Sequence, residues 1–167
     1  MDGKVEIIKN RITIRRAEIK DLNDILRLVA ELYGEEQGNY GNDWSLDWVY
    51  GKGKEIIADD LENADSFVVV AEMDGNIFAV LRGSLYWDDW MSWKKGRGAE
   101  LWDVFIEEGL RNRGVGAKLM KMFLDWCKVK KVDYVLVNAA AKNMEAIKFY
   151  EKFGFENNQA ILEKKLK

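Results

Sequence analysis

The chain has 167 residues, 33% of them charged and 48% hydrophobic, with a formal net charge of −3. That make-up predicts one globular domain spanning 1–167 with a sizeable core, and no apolar run approaches the roughly 18 residues of a membrane span. A lone cysteine, Cys127, and the absence of histidine exclude an internal disulfide, a cysteine zinc cluster and imidazole metal ligands. Acid–base work must then fall to carboxylates, tyrosine, lysine or water. The opening residues Met1-Asp2-Gly3-Lys4 do not read as a signal peptide, so a cytoplasmic location is expected.

Ile12-Thr13-Ile14-Arg15 alternates as a half-buried strand does. Asp21 stands where a helix N-cap would, Ile25, Leu28, Val29 and Leu32 follow at helical spacing, and Gly34 is expected to end that helix. Residues 40–53 read as a loop and 55–63 as a short helix. Phe67–Ala71 and Ile77–Leu81 flank Met73-Asp74-Gly75-Asn76, and Asp-Gly between two apolar runs predicts a hairpin. Trp87, Trp90 and Trp93 then recur every third residue, as either a local hydrophobic cluster or an aromatic wall for an amine substrate.

From Leu101 an apolar strand runs to Ile106 and into Arg111-Asn112-Arg113-Gly114-Val115-Gly116, which opens directly onto an amphipathic helix at 114–128. Two glycines let the backbone turn sharply and approach a ligand, and the helix start presents unpaired N–H groups with partial positive charge behind them. A pyrophosphate fits such a cradle. A dinucleotide fingerprint would need glycine where Leu119 stands, and a P-loop would need Gly-Lys-Ser/Thr, which is absent. Tyr134–Val137 reads as a strand, 143–152 as a helix, and Phe155 with Ala160–Leu166 as closing strands. The fold class is therefore α+β, with a mixed, mostly antiparallel twisted sheet flanked by helices.

Arg111-x-x-Gly114-x-Gly116 resembles the pyrophosphate loop of the Gcn5-related N-acetyltransferases (GNAT). Asn143-Met144-Glu145-Ala146-Ile147-Lys148-Phe149-Tyr150-Glu151-Lys152-Phe153-Gly154-Phe155 resembles the same family's Asn-x-x-Ala-x-x-Phe-Tyr-Glu-Lys-x-Gly-Phe block, at the family's usual distance. The likeness spans nearly the whole chain and is weakest over 34–66 and 86–99.

The resemblance implies the GNAT acyl-CoA N-acyltransferase fold, acetyl-CoA as cosubstrate without a metal, and a primary amine as acceptor. Arg111, Asn112, Arg113, Gly114, Val115, Gly116 and Ala117 would hold the pyrophosphate, with Arg111 or Arg113 adding a charged contact. Val104, Phe105 and Ile106 would pair with the pantetheine arm, and the Val104 N–H would polarise the thioester carbonyl. Glu100 lies eleven residues before Arg111, the spacing of the catalytic glutamate in the histone-acetylating branch. Asp103 is the competing base, and simple alternation puts it on the other side of the strand. Water without a single essential base is the third option. Tyr150 occupies the family's general-acid position, and Asn143 either binds the pantetheine arm or caps the last helix.

Charge is unevenly placed. Asp21–Asp65 holds twelve acidic and three basic residues, whereas Arg111–Lys167 holds thirteen basic and six acidic. The second stretch suits a polyanion and the first a cation. No basic–aromatic stripe or zinc finger supports a nucleic-acid partner. The acceptor is expected to be a small cationic amine or a peptide amine, with homodimers common in the family. A non-catalytic acyl-CoA-binding module and a transferase of longer acyl chains are the other functions considered.

Overall fold

A computed structural model of the chain describes residues 12–41, 45–86, 96–164 and 166. Five strands form one sheet in the order β1 (Ile12–Arg16), β2 (Ser66–Met73), β3 (Asn76–Tyr86), β4 (Gly98–Ile106) and β5 (Tyr134–Val137). The first four are antiparallel neighbours, and β5 runs parallel to β4. The β2–β3 turn is the expected hairpin, with Asp74 and Gly75 both left-handed (φ 53° and 80°), the conformation that matches strand twist.

Apolar residues of β2 and β3 run unbroken because both faces are covered. On one face Val69, Ala71, Ala79, Leu81 and Leu101 pack under α4 (Val115–Val129) through Leu119, Met120 and Phe123. On the other, Val68, Val70, Val80 and Phe105 pack under α1 (Leu22–Tyr40) through Ile25, Leu28 and Val29. Alpha-helices α2 (Leu46–Tyr50) and α3 (Lys52–Glu62) extend that second layer, and α5 (Met144–Glu151) lies against the first. No helix among the described residues is long and apolar enough to cross a membrane.

Three expectations are corrected. Gly34 does not end α1, which continues to Tyr40 and stops at Gly41 (φ 74°). Nothing lies within 4 Å of a Cβ at Gly34 or Gly38, so these positions are merely exposed helix, and packing of the Ile25–Tyr33 face outweighs glycine's weak propensity. Of the described residues expected as a loop over 40–53, Leu46–Tyr50 instead form a helix: Ser45 caps α2 by accepting from the Trp48 N–H (3.2 Å), and Val49 is fully buried. Finally, 155–164 contains no strand. Ile161 and Leu162 are adjacent rather than alternating and stand 90% and 93% exposed, so neither side chain is packed. The Trp87, Trp90 and Trp93 cluster lies outside the described residues.

Candidate active site

The glycine loop connects the end of β4 to the start of α4. Asn112 and Gly114 are both left-handed (φ 61° and 77°), which is how six residues reverse the chain. Gly114 is required for that conformation, since a Cβ there would meet no atom within 4 Å but would be strained by φ. Gly116 is required for space instead. Its Cβ would stand 3.3 Å from Ile106 Cδ1 and 3.4 Å from the Phe149 ring, so the close approach is to β4 and α5. No side chain caps α4, so its first-turn amides remain as donors for an anion. Of the other loop positions, Val115, the first residue of α4, is buried in the core, so only its backbone can face a ligand, while Asn112 and Ala117 are exposed.

Arg111 is committed to the fold. Its Nε donates to the Ile106 carbonyl (2.7 Å) and one terminal nitrogen spans both Glu35 oxygens (2.8 Å each), tying β4 to α1. Arg113 is exposed, with one weak contact to the Gly109 carbonyl (3.4 Å). Of the two arginines expected to contact phosphate, Arg113 is the one whose guanidinium has no carboxylate partner among the described residues.

Beta-strand β5 accompanies β4 only from Gly98 to Leu101 and then leaves it, so Trp102–Ile106 have a ladder on the β3 side alone. Glu107 donates its N–H to the Phe78 carbonyl (3.0 Å), which sets the phase of the β3–β4 ladder. By alternation Phe105↔Val80 exchanges hydrogen bonds and Val104↔Leu81 does not. The N–H and C=O of Val104 therefore point into the opening where β5 has departed. The side chains beside it serve packing: Phe105 is buried toward α1, and Val104 and Ile106 pack toward α4.

The expected opposition of Glu100 and Asp103 is corrected. Beta-strand β4 carries one extra residue between the pairs Arg82↔Asp103 and Gly83↔Leu101. This bulge resets the alternation, so Glu100 (opposite Ser84) and Asp103 (opposite Arg82) share the α1 face. Their surroundings differ. Glu100 is 7% exposed and accepts from Asn138 Nδ2 (3.0 Å); burial pushes its carboxyl above the ordinary range, and the Asn138 bond only partly opposes this. Asp103 accepts from Arg82 Nε (2.6 Å), and Arg82 reaches Asp60 on its other side (2.6 Å). The Asp103 carboxylate is thus already engaged by a buried guanidinium, whereas Glu100 pairs with a neutral amide and with no cation among the described residues.

Tyr150 packs edge-on to Phe149 (5.5 Å) and tilted to Phe155 (5.7 Å), where the turn at Gly154 (φ 84°) folds the chain back. Burial pushes its phenol up to about 12, and the charges of Glu36 on α1 and Asp103 on β4 act in the same direction. Tyr33 on α1 is likewise held at about 12, by burial first and then Asp103. Two neutral phenols and two carboxylates thus converge between α1, β4 and α5. Asn143 caps α5 with Oδ1, accepting from the Ala146 N–H (3.0 Å), which leaves its Nδ2 for a ligand. Buried Cys127 is pushed up to about 12 by desolvation and is no nucleophile.

Sequence reading missed Asn138, Arg82, Asp60, Tyr33 and Glu36. An arginine directly after the apolar run Ile77–Leu81, within the same strand, was the available signal, because a buried charge needs partners. The acidic stretch is also less available than its count suggests: Asp21 pairs with Arg15, Glu31 with Arg27, Glu35 with Arg111, Asp60 with Arg82, and Asp65 with Lys130.

Glu100 offers a direct check on its burial. A carboxyl whose folded pKa is raised favours the protonated fold, so its stabilisation is full below 4.5 and is lost as pH rises through the higher folded value. Glu100→Gln keeps the Asn138 partner and carries no charge. Its unfolding midpoint is expected to match the native protein's in acid and exceed it at neutral pH; urea titration at several pH values measures this.

A family model described as the acetyltransferase (GNAT) family matches residues 29–155. An uncharacterized N-acetyltransferase of Methanocaldococcus jannaschii is 25% identical over 154 residues, covering 89% of this chain. The chain spans only 62% of that relative's length. Among solved structures, a tetramutant of the BH1408 protein of Bacillus halodurans superposes with a TM-score of 0.79 at 18% identity, covering 92% of this chain and 99% of that one. The aminoglycoside N-acetyltransferase AAC(6')-Iy in complex with CoA gives 0.72 at 19% identity, covering 96% and 98%. A structure of AAC(6')-Iy with a bisubstrate analogue, CoA-S-monomethyl-acetylneamine, gives 0.71 at 18% identity, covering 94% and 99%.

Proposed function

The chain belongs to the acetyltransferase (GNAT) family, and from that premise we propose that it transfers an acetyl group from acetyl-CoA to a primary amine by direct attack in a ternary complex. The observation that carries this reading is the departure of β5 from β4 at Leu101. It leaves the Val104 N–H directed into an opening whose far end is the uncapped start of α4. An extended pantetheine arm can add to the free edge of β4, and its pyrophosphate can rest on the amides of Gly114–Ala117 beside Arg113. AAC(6')-Iy, similar in fold, has been solved with CoA and with the bisubstrate analogue CoA-S-monomethyl-acetylneamine, which supports a CoA donor and an amine acceptor here.

In this mechanism Glu100, directly or through one water, takes a proton from the acceptor ammonium. Its raised pKa makes it a better base than an ordinary carboxylate. The freed nitrogen lone pair forms a bond to the acetyl carbonyl carbon, and the Val104 N–H stabilises the oxygen that becomes negative. As the C–S bond breaks, the Tyr150 hydroxyl gives its proton to the departing thiolate sulfur. A phenol held near 12 stays protonated until that moment. The nitrogen's remaining extra proton passes, through water, to the Tyr150 phenolate and restores the phenol, and Glu100 returns its proton to solvent.

Isothermal titration with acetyl-CoA tests the donor. A tryptophan at Gly116 would press on Ile106 and Phe149 as well as on the ligand. Ala117→Glu is cleaner, since a carboxylate in the first turn suits the helix dipole but repels a pyrophosphate. Micromolar binding by the native protein, weakened at least about tenfold in the variant, is expected. No binding by the native protein overturns the reading.

A further inference from the structure

Trp102 is the extra residue of the β4 bulge. It is 45% exposed between Leu101 at 2% and Asp103 at 3%, so the bulge turns out of the core a side chain that packing does not use. The ring is nevertheless fixed: Nε1–H donates to Ser84 Oγ (2.9 Å). Ser84 stands directly opposite Glu100, so the indole lies on the face that carries Glu100 and Asp103. Trp102 is also the first residue of β4 that β5 does not accompany, two positions before Val104. A large aromatic surface is thus held, facing solvent, at the mouth of the opening and beside the base. Bulges commonly re-aim a side chain at such places. Behind it, two carboxylates flank the single guanidinium of Arg82, leaving the ion cluster one negative charge in excess.

Resting on the acetyl transfer proposed above, we propose that Trp102 is the acceptor-specificity residue. Its indole face receives the second, non-reacting ammonium of a di- or polyamine while the reacting nitrogen faces Glu100. The π face attracts a cation, the negative excess beneath adds to that attraction, and the Ser84 bond removes the entropy cost of orienting the ring. A monoamine has no group to place there and gains less.

Steady-state kinetics with 1,4-diaminobutane and with butylamine test this in the native protein, Trp102→Leu and Trp102→Phe. The leucine variant keeps apolar bulk without a π face, and the exposed position spares the core. Its KM for the diamine is expected to rise about five- to thirty-fold. That change should far exceed the change in kcat and the change in KM for butylamine, with phenylalanine restoring most of the loss. Equal shifts for both amines, a loss confined to kcat, or no preference for the diamine in the native protein overturns the proposal while leaving acetyl transfer intact. Failure of the native protein to acetylate either amine while still binding acetyl-CoA overturns the diamine proposal alone; failure to bind acetyl-CoA overturns both.

Discussion

Replacing Tyr150 with phenylalanine is expected to lower kcat by about 10²- to 10⁴-fold while leaving the Kd for acetyl-CoA unchanged. The ring contacts with Phe149 and Phe155 survive the substitution, so the fold loses only a hydroxyl. Rapid-quench turnover beside isothermal titration separates the two quantities. The pH dependence carries the same signature. The native kcat should rise as Glu100 loses its proton, at a pH above the ordinary carboxylate range because burial raises that group. Tyr150 should add no falling limb until the pH nears about 12. An unchanged kcat in Tyr150→Phe would remove the phenol from the reaction and leave water to protonate the thiolate.

Arg82→Met should cost about 3–5 kcal/mol of stability, the range for removing one partner of a buried ion pair. The Arg82 side chain is 5% exposed and bridges Asp60 of α3 to Asp103 of β4, with the Ser66 hydroxyl also donating to Asp60 (2.7 Å). Burial pulls the guanidinium down, and the attraction of Asp103 and Asp60 more than offsets this. Methionine fills similar space but leaves two carboxylates without their cation. The urea midpoint measures the loss. A triple variant replacing Arg82, Asp60 and Asp103 with apolar residues should recover much of it, because the cost lies in the orphaned charges. If Arg82→Met alone were within about 1 kcal/mol of native, the cluster would be solvated rather than buried.

Both loop and block motifs were readable because they are local. Arg111–Gly116 sits at a strand–helix junction, and Asn143–Phe155 forms one helix with its cap and turn, so neighbouring residues define the geometry. Helix α4 was likewise legible from its own periodicity, and strand β5 from its short apolar run Tyr134–Val137. Helix α1 was read short because propensity at Gly34 is a local preference that the buried Ile25–Tyr33 face overrides. The closing strands were read from apolar content, yet Ile161 and Leu162 are exposed, and apolar content without burial gives a strand nothing to pack against.

By itself, the sequence determined the α+β class, the glycine turn at Arg111–Gly116, the final helix bearing Tyr150, and the family. Each depends on residues a few positions apart, where steric and hydrogen-bonding preferences act directly. Only the tertiary structure decided which charges are available. It committed Arg111 to Glu35 and Asp103 to Arg82, raised Glu100 by burial, and brought Tyr33, Glu36 and Tyr150 together from distant segments. It also placed Glu100, Trp102 and Asp103 on one face, through a bulge that strand alternation cannot foretell. A carboxylate's protonation and a side chain's partners depend on what packs against them across the sheet, and that is written in the fold.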